Sequence, residues 1–466
     1  MTNTISRCNV KRFASTLCVS WAVGSACLAQ TVPQIAVAAN SNTNTNTNSL
    51  ATPPITPFQY IPSKQWKEPD PSKVIRRLGT ALAVETLYRE GNYAQAANLG
   101  LPLLETNKGD DELRLFVANS LAWTGRLKEA IVVYDTLIKS DFRAEADLGL
   151  ANINRWQGKD HIALIIYKSI LKNEPENSDA KEGLRLALRE LRPRGTVRYG
   201  GSKDSAGTVQ HNVILNARWR DETNTSIWEV EAGSDRLKNA VIRANSTDLT
   251  VRYRLLETPY KPRFELGIDK NSLYANAGIE FDAIPLKLDI GRVNWGKLSV
   301  NPRALASGLS AAHAAAQLNF PTQYGTLFAA ADIFRVSDGN TILASTVRFT
   351  PAWRPLGSTI KFFGGLETRS AKFASISYWS PTEGYGSGFL GVSGELGDSD
   401  WDVNASAQIG RGFYGEAGRS WGASLAAKRW ISADVALGLS WWAMGSKRGT
   451  QQYSDRSAYL TVEKLW

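Results

Sequence analysis

The chain ends Ala458-Tyr-Leu-Thr-Val-Glu-Lys-Leu-Trp466, and this stretch decides the fold. Ala458, Leu460, Val462 and Trp466 fall on one face of an extended chain, and Lys464 is the one charge among them. The same alternation recurs upstream. Val209 to Trp219 (VQHNVILNARW) sets Val209, His211, Val213, Leu215, Ala217 and Trp219 against Gln210, Asn212, Ile214, Asn216 and Arg218. Asp248 to Leu255 (DLTVRYRL) sets Leu249, Val251, Tyr253 and Leu255 against Asp248, Thr250, Arg252 and Arg254. Trp401 to Gly410 (WDVNASAQIG) repeats the pattern, and further segments begin near residues 225, 262, 323, 341, 358, 385, 420, 432 and 456.

Alternation of this kind also suits a soluble two-layer sheet with one wet face. The segments, however, run about ten residues, the length of a tilted membrane-crossing strand. Aromatics gather at their ends (Trp219, Trp401, Trp430, Trp441, Trp442), as an interfacial girdle requires. The chain carries an export signal but no apolar run of helical span length, so a closed barrel is the remaining way to cross a bilayer. The sequence therefore predicts a transmembrane antiparallel β-barrel over 195–466. Its expected size is about 16 strands, with 14 and 18 open.

Arg7, Lys11 and Arg12 precede an apolar run from Phe13 to Leu28 and small residues ending at Ala29, which reads as a secretory signal peptide over 1–29. Ala38 and Ala39 are alternative cleavage points. Cys8, Cys18 and Cys27 all fall in this segment, so the mature chain has no disulfide and no cysteine-based metal site or nucleophile. The net charge is +10, falling to +7 once the signal leaves. Basic and acidic residues are interspersed, and no block reads as a nucleic-acid surface. Residues 30–72, with SNTNTNTNS (41–49) and six prolines between 53 and 71, read as a disordered linker.

Residues 73–192 change period to that of a helix and repeat. EGNYAQA (90–96), TGRLKEA (124–130) and QGKDHIA (157–163) align, with Gly91, Gly125 and Gly158 each followed five places later by Ala. This is the tetratricopeptide pattern: about three helical hairpins, closed by a capping helix from Ser178. The expected fold class is thus multidomain α + β, a periplasmic α-helical tetratricopeptide solenoid followed by the barrel.

That combination resembles the exopolysaccharide export outer-membrane porins, of the poly-N-acetylglucosamine export and cellulose-secretion types. The resemblance is specific in LAWTGRLKEA and INRWQGKDHIA, and looser in SYWSPTEGYG (377–386) of the barrel. The array is shorter than is usual in those proteins. The terminal Trp466 resembles the signal read by the barrel-assembly machinery.

The resemblance implies a passive conduit for a biofilm polysaccharide in the outer membrane of a Gram-negative bacterium. Its implied partners are membrane lipid, the polymer chain and periplasmic or inner-membrane synthase-complex proteins. No cofactor, metal or nucleic acid is expected. Polar strand faces nominate Arg252, Arg254, Arg263, Glu265, Asp269, Lys287 and Asp289 as lumen residues.

Glu85, Tyr88, Asn119, Trp123, Asn152 and Trp156 are the candidates for binding polymer or partner in the repeat groove. Aromatic faces beside amides suit sugar rings, and the competing reading is that they pack between repeats. An enzyme is disfavoured: His161, His211 and His313 are scattered, and Ser310 near His313 lacks a nucleophile-elbow setting. A receptor, an adhesin or a small-solute pore with a protein-docking repeat domain stays open as the alternative. The longest turn candidate, Trp295 to Ala304, is modest, which weighs against a receptor.

Overall fold

The computed structural model describes residues 79–466, apart from 270, 271, 282, 283, 323, 357, 358 and 399. The expected signal peptide (1–29) and linker (30–72) lie outside the described residues. Among the described residues seven helices come first: α1 (Thr80–Arg89), α2 (Tyr93–Thr106), α3 (Asp111–Trp123), α4 (Leu127–Leu137), α5 (Arg143–Trp156), α6 (Asp160–Asn173) and α7 (Ser178–Leu191). Gly91, Gly125 and Gly158 stand in the turns of the three successive hairpins at φ 77°, 80° and 76°. That left-handed conformation is the reason the repeat keeps glycine there. Asp110 and Asn177 cap α3 and α7 by accepting from the Leu113 and Ala180 amides at 3.0 and 2.9 Å.

The second and third hairpins are each held to the helix that follows by one recurring device. Tyr134 of α4 donates its hydroxyl to Asn119 Oδ1 of α3 at 2.5 Å, and its ring lies over Gly149 of α5. One repeat later, Tyr167 donates to Asn152 Oδ1 at 2.7 Å and lies over Gly183 of α7. A Cβ on Gly149 would stand 2.3 Å from the Tyr134 ring, and both tyrosines are buried. Gly149→Ala is therefore expected to cost about 1–3 kcal/mol through overpacking, read as a lower thermal midpoint of the helical signal.

The chain then forms sixteen antiparallel strands that close on themselves, β1 (Arg194–Asp204) pairing with β16 (Gln451–Leu465). Between them run β2 (Val209–Arg220), β3 (Ser226–Lys238), β4 (Arg243–Leu255), β5 (Arg263–Asp269), β6 (Ser272–Glu280), β7 (Leu286–Asn294) and β8 (Ser310–Thr322). The second half is β9 (Gly325–Val336), β10 (Thr341–Pro351), β11 (Ile360–Ala371), β12 (Tyr385–Gly397), β13 (Trp401–Gly415), β14 (Ala417–Trp430) and β15 (Val435–Arg448). Two short helices, α8 (Trp295–Leu298) and α9 (Pro302–Ala306), sit between β7 and β8.

The burial pattern is inverted relative to a water-soluble sheet. On β4, Leu249 and Val251 are 46% and 38% exposed, while Asp248, Thr250, Arg252 and Arg254 are buried. On β16, Leu460, Val462 and Trp466 face out and Asp455, Ser457, Thr461 and Glu463 face in. A continuous apolar exterior around a polar interior would be costly in water, at about 25 cal/mol per Å² of exposed apolar surface. It is the arrangement a bilayer stabilises.

The terminal residue completes the closure. The Trp466 amide donates to Pro193 O at 3.1 Å, and its indole lies against Gly195, where a Cβ would meet the ring at 2.8 Å. Lys464 reaches Asp434 in the neighbouring turn at 3.5 Å instead of facing lipid alone.

Two expectations need correction. Trp442 is not part of an aromatic girdle: it is 1% exposed and points inward, whereas its neighbour Trp441 faces out. Trp430 is also buried, under Arg189 of α7 at 4.1 Å. The segment from Trp295 is not a modest surface turn either. It folds back through α8 and α9, and Trp295, Lys297, Ala304 and Leu305 are all buried.

Candidate functional site

The first candidate is the barrel interior. All seven lumen residues nominated from the sequence point inward and are buried. They form a connected ionic wall across β3 to β7. Arg252 contacts Glu229, Glu231 at 3.3 Å and Glu265 at 3.1 Å. Arg254 meets Glu280 at 3.2 Å, and Lys287 meets the same carboxylate at 3.3 Å. Arg263 hydrogen-bonds Asp289 at 3.0 Å through Nε, and Asp269 accepts from Asn294 at 2.7 Å. The charges face the lumen but are engaged with one another, so this wall presents a neutralised, hydrogen-bonded surface instead of a selective field.

The second feature lies at the end of the barrel remote from the helices. From α8, Lys297 reaches both Asp235 of β3 (3.3 Å) and Asp248 of β4, and all three are buried. Val300 and Leu305 pack on Leu237 and Ala244 of the same two strands. On the other side, Trp295 packs against Phe334 of β9 at 5.1 Å and against Tyr378 at 5.3 Å. Tyr378 belongs to a second inward loop, between β11 and β12, whose hydroxyl donates to Asp338 at 2.8 Å. The two loops thus meet at the Trp295–Tyr378 contact. Sequence reading missed Lys297 and Trp295 as site residues, although an apolar-basic WGKL segment inside a turn was a legible signal.

The helical groove is the third feature. Tyr88, Asn119, Trp123, Asn152 and Trp156 converge on one cavity of about 50 Å³, together with Arg155, Glu145 and Asp179. That is room for a few waters. Glu85 is not brought there and pairs with Arg89 at 2.7 Å. The aromatics form a ladder: Tyr88–Phe116 at 5.2 Å, Tyr93–Trp123 at 5.9 Å and Trp123–Trp156 at 5.3 Å. The Oδ1 atoms of Asn119 and Asn152 are already taken by Tyr134 and Tyr167, which leaves less for a ligand than the sequence implied.

The helices are fixed to the barrel rim by polar contacts. Arg185 meets Asp400 at 2.7 Å, Arg192 meets Asp434 at 2.6 Å, and His161 meets Glu257 at 2.8 Å. Arg220, at the end of β2, meets the fully buried Asp160 at 2.7 Å. Hydrogen bonding from Arg185 holds the Asp400 carboxyl below the usual carboxylate range.

Burial pushes Asp160 up to about 6, with Arg220 opposing the shift. The folded chain therefore binds this proton more tightly than the unfolded chain. The stability it contributes is full below about pH 4 and is lost as the pH rises to about 6. The thermal midpoint of the helical signal should fall over that window by an amount equivalent to on the order of 2–3 kcal/mol. The slope should flatten in Asp160→Asn.

The remaining sequence candidates separate. His211 faces out on β2. His313 faces in, pairs with Asp332 at 3.0 Å and stacks on Phe334 at 4.5 Å, while the Ser310 hydroxyl accepts from Arg292 at 2.8 Å. Ser310 and His313 are thus engaged elsewhere. Among the described residues no cluster of His, Cys, Asp and Glu has the arrangement of a metal site.

The sequence matches no family model and no curated protein. Among solved structures it is similar to a bacterial polysaccharide outer membrane secretin. That similarity has 10% identity and a TM-score of 0.46, over 59% of this chain and 99% of that one. It is also similar to OccK11 (OpdR) of Pseudomonas aeruginosa, at 10% identity and TM-score 0.35 over 59% and 96%. A third is the outer membrane protein OprD from Pseudomonas aeruginosa, at 10% and 0.33 over 58% and 93%. The fold stands on the chain's own strand pairing.

Proposed function

We propose that this protein is an outer-membrane conduit that exports an exopolysaccharide of the cellulose or poly-N-acetylglucosamine type. The helical stack, read as a tetratricopeptide solenoid, stands in the periplasm and guides the polymer or docks synthesis and modification proteins. Trp466 serves the barrel-assembly machinery. The protein catalyses no reaction and needs no cofactor.

The observation that carries this reading is the pair of inward-folded loops at the far end. A pore for small solutes works open, whereas here two of the chain's own loops fold inward and meet through Trp295 and Tyr378. A conduit for a chain polymer conducts only when occupied and gains from being shut otherwise. Rigid docking of the helices on the barrel rim by Arg185, Arg192 and Arg220 supports the same reading, because it fixes one approach to the near mouth.

The test is deletion of the coding sequence followed by fractionation of polysaccharide into medium, cell surface and periplasm. Polymer should leave the surface fraction and accumulate or be degraded in the periplasm. The intact chain should restore it, and residues 1–192 alone should not. Unchanged polymer would sink the proposal.

A further inference from the structure

The inward loop between β11 and β12 ends in an arrangement that the conduit reading does not need. Trp379 sits between two guanidiniums. Arg369 of β11 lies 5.2 Å from the indole centroid, and Arg448 of β15 lies 4.6 Å from it. Arg448 is covered on its other side by Tyr453 at 3.9 Å. The strands carrying the two arginines are four places apart round the barrel, so Trp379 joins two separate stretches of wall.

Arg369 is 4% exposed, and among the described residues no carboxylate forms an ion pair with it. Its Nε has no hydrogen-bond partner, and its Nη2 has only a long contact of 3.5 Å to Trp379 O. Burying a cation without an anion is costly. A second guanidinium at the same ring adds like-charge repulsion. The indole face offers a partial substitute through its quadrupole, but a carboxylate, which can accept two parallel N–H bonds from a guanidinium, is the stronger partner.

We infer that Arg369 and Arg448 form an anion-binding site for the carboxylate groups of a uronate-containing polymer, with the Trp379 indole holding the seat until the anion displaces it. This rests on the export reading and departs from it in the cargo: the polymer carries acidic sugars, which cellulose and poly-N-acetylglucosamine lack, and its arrival frees the loop that Trp379 anchors. The arginines, on strands of the wall, stay in place while the loop moves.

The experiment is calorimetric titration of the full-length chain, folded in detergent, with tetragalacturonate, monomeric galacturonate and uncharged cellotetraose. Tetragalacturonate should bind roughly tenfold more tightly than cellotetraose, because only it can supply the paired hydrogen bonds. Arg369→Gln should lose that advantage. Arg369→Lys, which keeps the charge but not the fork, should keep part of it and guards against a folding failure. Trp379→Leu should tighten binding, since it removes the competitor.

If galacturonate monomer binds as well as the tetramer, the anion site stands and its ligand is a small carboxylate. Equal binding of cellotetraose and tetragalacturonate overturns the site while leaving export of a neutral polymer intact. Wild-type affinity in Arg369→Gln, weakened binding in Trp379→Leu, or no binding of either galacturonate overturns it as well.

Discussion

Arg252→Met is expected to destabilise the barrel by about 3–5 kcal/mol, because it removes one partner of a buried ionic cluster and leaves the others in place. Glu229, Glu231 and Glu265 all contact this guanidinium, and the four side chains are between 4% and 8% exposed. Without it, three like charges crowd one patch of wall. The measurement is the urea midpoint of the folded, heat-modifiable band. Adding Glu229→Gln, Glu231→Gln and Glu265→Gln to Arg252→Met should recover most of the loss, since replacing a whole buried ionic set is often close to neutral. A single variant as stable as the wild type would show that water reaches this wall freely.

Trp295→Ala should open the barrel. The side chain is fully buried and touches both Phe334 on the wall and Tyr378 on the second loop, so its removal cuts the contact that joins the two loops. Truncating a buried Trp costs about 3–5 kcal/mol, and here the cost falls on the loops, because no strand pairing depends on it. The wild-type chain in a planar bilayer should therefore conduct little at rest, and the variant should conduct roughly tenfold more. The urea midpoint of the barrel should barely move. A conductance equal to the wild type would mean that the loops do not close the pore.

The barrel was legible because its strands are two-faced. DLTVRYRL, WDVNASAQIG and the last nine residues each declare a face by alternation, and the inward charges of β4 to β7 follow from that alone. β8 was not legible. Its SAAHAAAQLNFPT places alanine on both faces, which removes the contrast that marks a strand, and alanine favours helix. β6 escaped for a similar reason, with Ala275 and Ala277 outward and Asn276 and Gly278 inward.

The loop plug was hidden because turn length says nothing about direction. WGKLSVNPRA folds inward where Asp235 and Asp248 on distant strands receive Lys297 and where Leu237, Ala244 and Phe334 receive its apolar side chains. In the helices, the glycine period was plain, but Gly149 and Gly183 became meaningful only once Tyr134 and Tyr167 were seen lying on them. Likewise the Asn119 and Asn152 side chains point where a groove ligand would want them, yet their partners are tyrosines fifteen residues on.

The central claim is that a polysaccharide passes through this lumen, and trapping it there tests that most directly. A photo-crosslinking residue would replace Gln408, which faces the lumen on β13, and in a second strain Ile409, which faces out. Cells making polymer would be irradiated and the barrel probed for attached sugar. Sugar adducts are expected at position 408, dependent on polymer synthesis, and none at 409. Normal export with no adduct at 408, or equal adducts at both positions, would contradict it.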